Sequence, residues 1–255
     1  TFLALCIVVI FFNTCLLFIK EKNILKKKKS IINKINSNNI LLKTIAWMSS
    51  TILDPIISFF KKNGLSIALG IIGFIFLFKI GEAFLGRMSV IFYKEIGFSK
   101  SDIALYSKTF GWFTTVVFTL LGGLFAIRSG VIKSMFLAGI LMATTNLLFT
   151  LLAWSGKSYL IFTFAVILDD MAAAFATVAS VAFISLLVDR NYTATQYALL
   201  ASIGTAGRTI LASSSGALVD WLNGDWGVFF IITSLMVIPS LILLYFIKNK
   251  IKINE

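Results

Sequence analysis

Two adjacent carboxylates, Asp169 and Asp170, stand inside an apolar run that extends from Tyr159 to Val188. About 20 helical residues at 1.5 Å each cover the ~30 Å hydrocarbon core of a bilayer, so this run is long enough to cross one. A carboxylate at mid-membrane costs roughly 2.5–3.5 kcal/mol on insertion scales. It is tolerated where it faces a bundle interior or a wet cavity, and there it marks a path for an ion or a solute. The plainer alternative is a polar partner on a neighbouring helix. Neighbours on one helix point to different azimuths, so one acid is expected in a cavity and the other at a helix interface. The same divergence argues against an intramembrane aspartyl protease, whose two carboxyl groups must meet within hydrogen-bond reach, and no enzymatic activity is expected. Small residues follow the pair (Ala172, Ala173, Ala174, Ala176, Ala179 and Ser180), which lets a neighbouring helix approach closely.

Other charges lie in other apolar runs. Lys79, Glu82 and Arg87 fall within 65–92, Lys108 within 102–126, and Arg208 near the middle of 195–219. Lys79 and Glu82 are three apart and share a helix face, either as an ion pair that neutralises itself or as a cation and an acid with separate tasks. Arg208 either faces the same interior or pairs with the 159–188 run. Histidine is absent, so any proton-handling group must be a carboxylate: Asp169, Asp170 or Glu82. A zinc or haem site has almost no ligands to draw on, since Cys6 and Cys15 are the two cysteines. No metal and no other cofactor is expected.

The elements that must position these groups are membrane spans. The 255 residues are 58% hydrophobic and 14% aromatic, well above the ~45–50% apolar content of soluble domains. Seven apolar runs are expected to cross the membrane: 1–19, 65–92, 102–126, 134–154, 159–188, 195–219 and 226–247, the last kinked at Pro239. The fold class is an all-α membrane protein. Residues 20–39 read as a basic linker and residues 248–255 as a basic tail. Asp54-Pro55 opens a short helix, with Asp as N-cap and Pro in the first turn; Ile56, Ile57, Phe59 and Phe60 form its apolar face, set on the membrane surface or packed as a loop helix. The net charge of +12 is concentrated beside the spans, with ten lysines between Lys20 and Lys62, which suits anionic lipid and topology better than nucleic acid. The positive-inside rule puts that segment in the cytoplasm together with Arg128, Lys133, Arg190, Lys248, Lys250 and Lys252, and leaves Lys94, Lys100 and Lys157 on the opposite side. Thr1 is then outside and Glu255 inside.

One span, a long basic loop and six closely connected spans is the layout expected of the end of one six-span half followed by a complete second half. The segment Gly123-Leu-Phe-Ala-Ile-Arg128-Ser-Gly130-Val-Ile-Lys133 resembles the cytoplasmic loop signature of the major facilitator superfamily, with Ile127 in place of its usual Asp. Within that superfamily the chain resembles the AmpG-type muropeptide permeases from about Pro55 to Ile247. The matching stretches are Phe59–Gly64, Lys79–Glu82, Phe92–Lys100, Ser107–Gly111, Tyr192–Leu200, Gly207–Thr209, Gly216–Asp220 and Trp226–Phe230. Thr193-Ala-Thr-Gln-Tyr-Ala-Leu-Leu200 is the most specific of them.

The resemblance implies an incomplete major facilitator-type bundle. Residues 1–19 would be the last span of an N-terminal bundle, 20–64 the cytoplasmic central loop, 65–247 the C-terminal six-helix bundle and 248–255 a cytoplasmic tail. It further implies proton-coupled import of anhydro-muropeptides across the bacterial inner membrane, in peptidoglycan recycling. The partners would be the lipid bilayer, the muropeptide, the proton, and a missing N-terminal half from the same gene or a separate chain. Such a substrate is a sugar bearing a peptide with carboxylates. Lys79, Lys108 and Arg208 would hold those carboxylates, Arg by a bidentate fork and Lys as a point charge, and Trp112 would stack on a sugar ring. Arg128, Gly130, Lys133, Asp189 and Arg190 would form a cytoplasmic gate. The alternatives are a carrier of another anionic solute, such as acyl-CoA, sugar phosphate or drug, or a truncated remnant that transports nothing.

Overall fold

The structure is a computed structural model, and it describes residues 49–106 and 111–251. The expected first span, the linker, Lys108 and residues 252–255 of the tail lie outside these. The chain divides into two units, Thr1–Pro55 and Ile56–Glu255. Of the first, the described part is a π-helical stretch, Ser49–Leu53, leading into helix α1 (Asp54–Asn63). The helix start expected at Asp54 is therefore a change of helix type rather than an entry from extended chain. Pro55 has no N–H with which to continue an intrahelical ladder, and the ladder changes from π to α beside it.

The second unit is built of helices throughout its described residues. They are α2 (Leu65–Leu77), α3 (Ile80–Ile96), α4 (Lys100–Ile103), α5 (Gly111–Ser129), α6 (Val131–Ser155), α7 (Tyr159–Leu187), α8 (Thr193–Ala212), α9 (Ser215–Trp221), α10 (Trp226–Leu235) and α11 (Ile238–Ile247). Among the described residues, five helical runs are long and apolar enough to cross a bilayer: Leu65–Ile96, Lys100–Ser129, Val131–Ser155, Tyr159–Leu187 and Trp226–Ile247. In hydrocarbon every backbone amide must be satisfied within its own segment, and these Leu-, Ile-, Phe- and Ala-rich runs do so as helices. At the far end of α3, Gly97 takes a left-handed conformation (φ 101°), and the next amide, Phe98 N–H, reaches back to the Tyr93 carbonyl, which closes the helix.

Three expected spans are interrupted. Pro239 lies in the first turn of α11, and the break between α10 and α11 sits just before it, as the sequence predicts. The run from Leu65 also breaks, at Phe78–Lys79, where no proline stands. The run expected over 195–219 is α8 followed by α9 and is not among the five strongly apolar ones. Gln196 and Arg208 lower its hydropathy. Its break has a local cause: the hydroxyls of Ser213, Ser214 and Ser215 donate to the carbonyls of Ile210, Leu211 and Ala212, at 2.6, 2.7 and 2.7 Å, and compete with the helix ladder.

Within the bundle α7 packs on α5 and α6, α6 on α10, α2 on α8 and α11, and α3 on α8 and α10. The small residues Ala172, Ala174, Ala176 and Ala179 are all buried there. Two apolar clusters result. One gathers Phe74, Phe78, Met135, Met142, Phe183 and Leu244. The other gathers Phe92, Phe149, Phe162, Trp226, Phe229 and Phe230, in edge-on and tilted ring contacts such as Phe92–Phe230 at 4.7 Å.

The helices α2–α3, α6, α7, α8 and α10–α11 each pass from one cluster to the other, and a set of polar residues falls at each crossing. These are Lys79 and Glu82 between α2 and α3, Thr145 and Asn146 on α6, Asp169 and Asp170 on α7, Arg208 on α8, and Thr233 and Ser234 on α10. Asn146 Nδ2 donates to Thr233 Oγ1 at 3.1 Å, and Ser234 Oγ to the Ala143 carbonyl at 2.7 Å. A polar waist thus separates two apolar ends.

Candidate transport site

Glu82 occupies the centre of the charged part of this waist. Its Oε2 lies 3.4 Å from Lys79 Nζ and its Oε1 3.6 Å from Arg208 Nη2. Local structure explains the first pair. Lys79 sits on the break between α2 and α3, Glu82 falls in the first turn of α3, where a carboxylate faces the positive end of the helix, and the i,i+3 spacing stacks the two. Lys79 Nζ also donates to Thr177 Oγ1 on α7, at 2.7 Å. Arg208 arrives from α8, whose neighbouring Gly207 lies directly on the backbone of Phe76 in α2; a Cβ there would stand 2.9 Å from the Phe76 carbonyl carbon. The Lys79 and Glu82 side chains are 19% and 12% exposed and that of Arg208 51%, so Arg208 is half exposed while the other two are largely enclosed.

Lys79 and Arg208 line a cavity of about 210 Å³ between α2, α7 and α8. Thr177, Ser180, Tyr197 and Thr205 add hydroxyls to a wall that is otherwise mainly apolar. The adjacent acids diverge. Asp169 Oδ1 accepts from Thr145 Oγ1 on α6 at 3.2 Å, whereas the Asp170 carboxyl lies against Gly111 at the start of α5, its Cγ 3.2 Å from where a Cβ would be. Neither is among the residues lining this cavity. Trp112 is exposed on α5 and does not line it either.

The residues assigned to a gate fall in two turns. Gly130, at φ 88°, joins α5 to α6, with Arg128 and Lys133 exposed on either side. Asp189 organises the α7–α8 turn. Its carboxylate accepts from Ser58 Oγ of α1 at 3.1 Å and from the Asn191 amide at 3.0 Å, and its own amide donates to Gln196 Oε1 at 2.6 Å. Lys62 Nζ adds a bond to the Leu187 carbonyl at 3.2 Å. Burial pushes the Lys62 amine down from its usual range, with the Asp189 carboxylate partly opposing. Arg190 is exposed beside them. These bonds hold α1 against the end of the bundle, with Phe59 in the core. Replacing Asp189 by Ala is expected to weaken that attachment by on the order of 1 kcal/mol, read as faster amide exchange over residues 56–63 with the spans unchanged; unaltered exchange there would refute it.

Thr145 and Thr177, the hydroxyl partners of Asp169 and Lys79, are not picked out by the sequence reasoning. Thr177 was discoverable, because it lies eight residues after Asp169 on α7 and so returns near the same helix face. Thr145 was not, since its partner comes from another helix.

The described residues thus form a multi-pass α-helical membrane protein whose charges meet inside the bundle. No protein-family model matches the chain. Among curated proteins, the "Putative transporter AmpG 4" of Rickettsia conorii is 30% identical over 251 residues, which is 98% of this chain and 58% of that protein. The "Putative transporter AmpG 3" of Rickettsia prowazekii is 30% identical over 225 residues, 88% of this chain and 52% of that one. The "Anhydromuropeptide permease" of Escherichia coli K12 is 28% identical over 198 residues, 77% and 39% respectively. The chain is thus similar to proteins named AmpG transporters and an anhydromuropeptide permease, in agreement with the resemblance its motifs carry, and its described residues form an all-α membrane bundle. The chain spans no more than 58% of the length of these three relatives.

Proposed function

We propose that the chain is the C-terminal part of a proton-coupled secondary transporter that imports anhydro-muropeptides across the bacterial inner membrane. The observation that carries this is the cavity lined by Lys79 and Arg208, within a chain similar to a protein named an anhydromuropeptide permease. A muropeptide's carboxylates would meet the two cations, and the hydroxyls of Thr177, Ser180 and Thr205 would serve its amide and sugar groups. Lys108 and Trp112 would extend the binding surface. Asp169, Asp170 and Glu82 are the acids from which the proton carrier is drawn in this reading, for a neutralised carboxyl group sits in a low-dielectric bundle at less cost than a charged one. Asp169 keeps a hydrogen-bond partner through Thr145 in either state, since a hydroxyl both donates and accepts.

In the same reading, residues 1–19 are the last span of the other half. The basic central loop, the 128–133 turn, the 189–190 turn and the tail lie in the cytoplasm, and Arg128, Gly130, Lys133, Asp189 and Arg190 gate that side. A second reading, a carrier of a smaller anionic solute, is favoured by the volume of about 210 Å³, below the ~300–1,000 Å³ of drug-sized pockets.

The test is uptake of labelled anhydro-muropeptide by cells lacking their own permease. The chain is expressed alone and together with the part of a relative that it does not match. Proton-dependent uptake is expected in the second case. Asp169→Asn, Asp170→Asn and the double variant are then compared with parent, with sugar phosphate and acyl-CoA as competitors. At least one single variant should lose ten-fold or more of the proton-driven rate. Unchanged uptake in all three would remove the two aspartates from coupling, and competition by sugar phosphate but not by acyl-CoA would favour the second reading.

A further inference from the structure

We propose that Glu82 holds, between Lys79 and Arg208, the place that a carboxylate of the transported solute takes. The cavity would then admit one anionic group by exchanging it for its own. This rests on the transport reading and names the binding event within it.

The geometry favours exchange over a permanent bridge. Charge-assisted hydrogen bonds between such groups are about 2.7–2.9 Å long, whereas Glu82 stands 3.4 Å from one cation and 3.6 Å from the other. Its Oε2 is buried without a hydrogen bond. Lys79 keeps its bond to Thr177 whichever carboxylate it faces, so the cation stays in place when the partner changes. Arg208 is half exposed at the cavity, and a planar guanidinium offers further N–H groups than the one turned to Glu82. Lys79 and Arg208 both line the cavity, and Glu82, which approaches both, is not among the lining residues. A solute in the cavity therefore meets both cations and competes with Glu82 for them. Two cations and one internal acid leave a single net positive charge, which matches one carboxylate.

The electrostatic part can be tested without the solute. Cys6 and Cys15, the chain's two cysteines, are replaced by serine, and Thr205→Cys places one thiol on the cavity wall. The full chain in nanodiscs is treated with anionic and with neutral methanethiosulfonate reagents of similar size. Glu82→Gln should raise the anionic-to-neutral rate ratio three- to ten-fold, and Lys79→Gln or Arg208→Gln should lower it. Should Glu82→Gln misfold, Lys79→Gln is compared with Lys79→Gln/Glu82→Gln, a pair that leaves fewer charges uncompensated, and the ratio should rise from the first to the second. N-acetylmuramyl dipeptide with free carboxylates should slow the reaction at lower concentration in Glu82→Gln than in parent, and its fully amidated form in neither. A ratio unmoved by removal of Glu82 overturns the proposal, as does equal protection by acid and amide. A ratio that shifts as expected, with no protection by the dipeptide, leaves the exchangeable anion site standing and counts against the muropeptide reading instead.

Discussion

Gly207→Ala is expected to lower the thermal stability of the chain sharply and to detach Arg208 from Glu82. At this position α8 rests on the backbone of α2. A methyl group would overlap the Phe76 carbonyl oxygen and stand 2.9 Å from its carbon and 3.0 Å from a ring carbon of the same residue. A carbonyl locked in a helix cannot turn aside as a flexible side chain does, so the two helices must separate. Overpacking of a close contact costs about 1–3 kcal/mol where side chains can adjust, and a backbone contact should fall at or beyond the upper end. Arg208, the next residue, would move with α8 and lose its 3.6 Å approach to Glu82. Gly216→Ala is the control. Its nearest neighbour is the Met88 methyl at 4.0 Å, and in a helix the exchange gains about 0.5–1 kcal/mol from lower chain entropy. Melting of both variants in detergent settles the matter, and a Gly207→Ala protein as stable as Gly216→Ala would remove the close contact from consideration.

The second large effect concerns Glu82→Ala. It leaves Lys79, only 19% exposed, in the polar waist without its counter-charge. Removing one member of a buried ion pair costs about 3–5 kcal/mol; the bond from Lys79 to Thr177 and its residual exposure reduce the expected loss to about 2–3 kcal/mol. Arg208 is too exposed to add a stability term. Lys79→Met made together with Glu82→Ala removes the stranded ammonium and should recover most of the loss. Unfolding midpoints of parent, single and double variants give the comparison. A double variant no better than Glu82→Ala would mean that the loss comes from something other than the uncompensated lysine.

Much of this was legible from residue types alone. Five of the seven expected apolar runs are helices long and apolar enough to cross a bilayer, because backbone in hydrocarbon has no alternative to a helix. Pro239 gives the α10–α11 break, and the three-residue spacing gives the Lys79–Glu82 pair. The break at Phe78–Lys79 was not legible, since it carries neither proline nor a run of serines. The partner of Arg208 was not legible either. Sequence spacing orders side chains within one helix but is silent on which helices touch, so whether Arg208 faced a shared interior or paired with the 159–188 run stayed open until the packing set it beside Glu82 on α3. The same limit hides the Thr145–Asp169 and Lys79–Thr177 bonds. Lys108 and the first span lie beyond the described residues.

The two breaks in the waist lie against each other. Gly81, two residues past the first, packs on the Thr233 carbonyl and the Val237 side chain beside the second, at 2.7 and 2.8 Å from its built Cβ position. Two neighbouring rods are therefore scored at the same height, where their intrahelical ladders are already interrupted. They share one crease. Bending along it would spare the intact turns above and below, and would carry Lys79, which sits on the break, relative to Glu82 in the first turn beyond it.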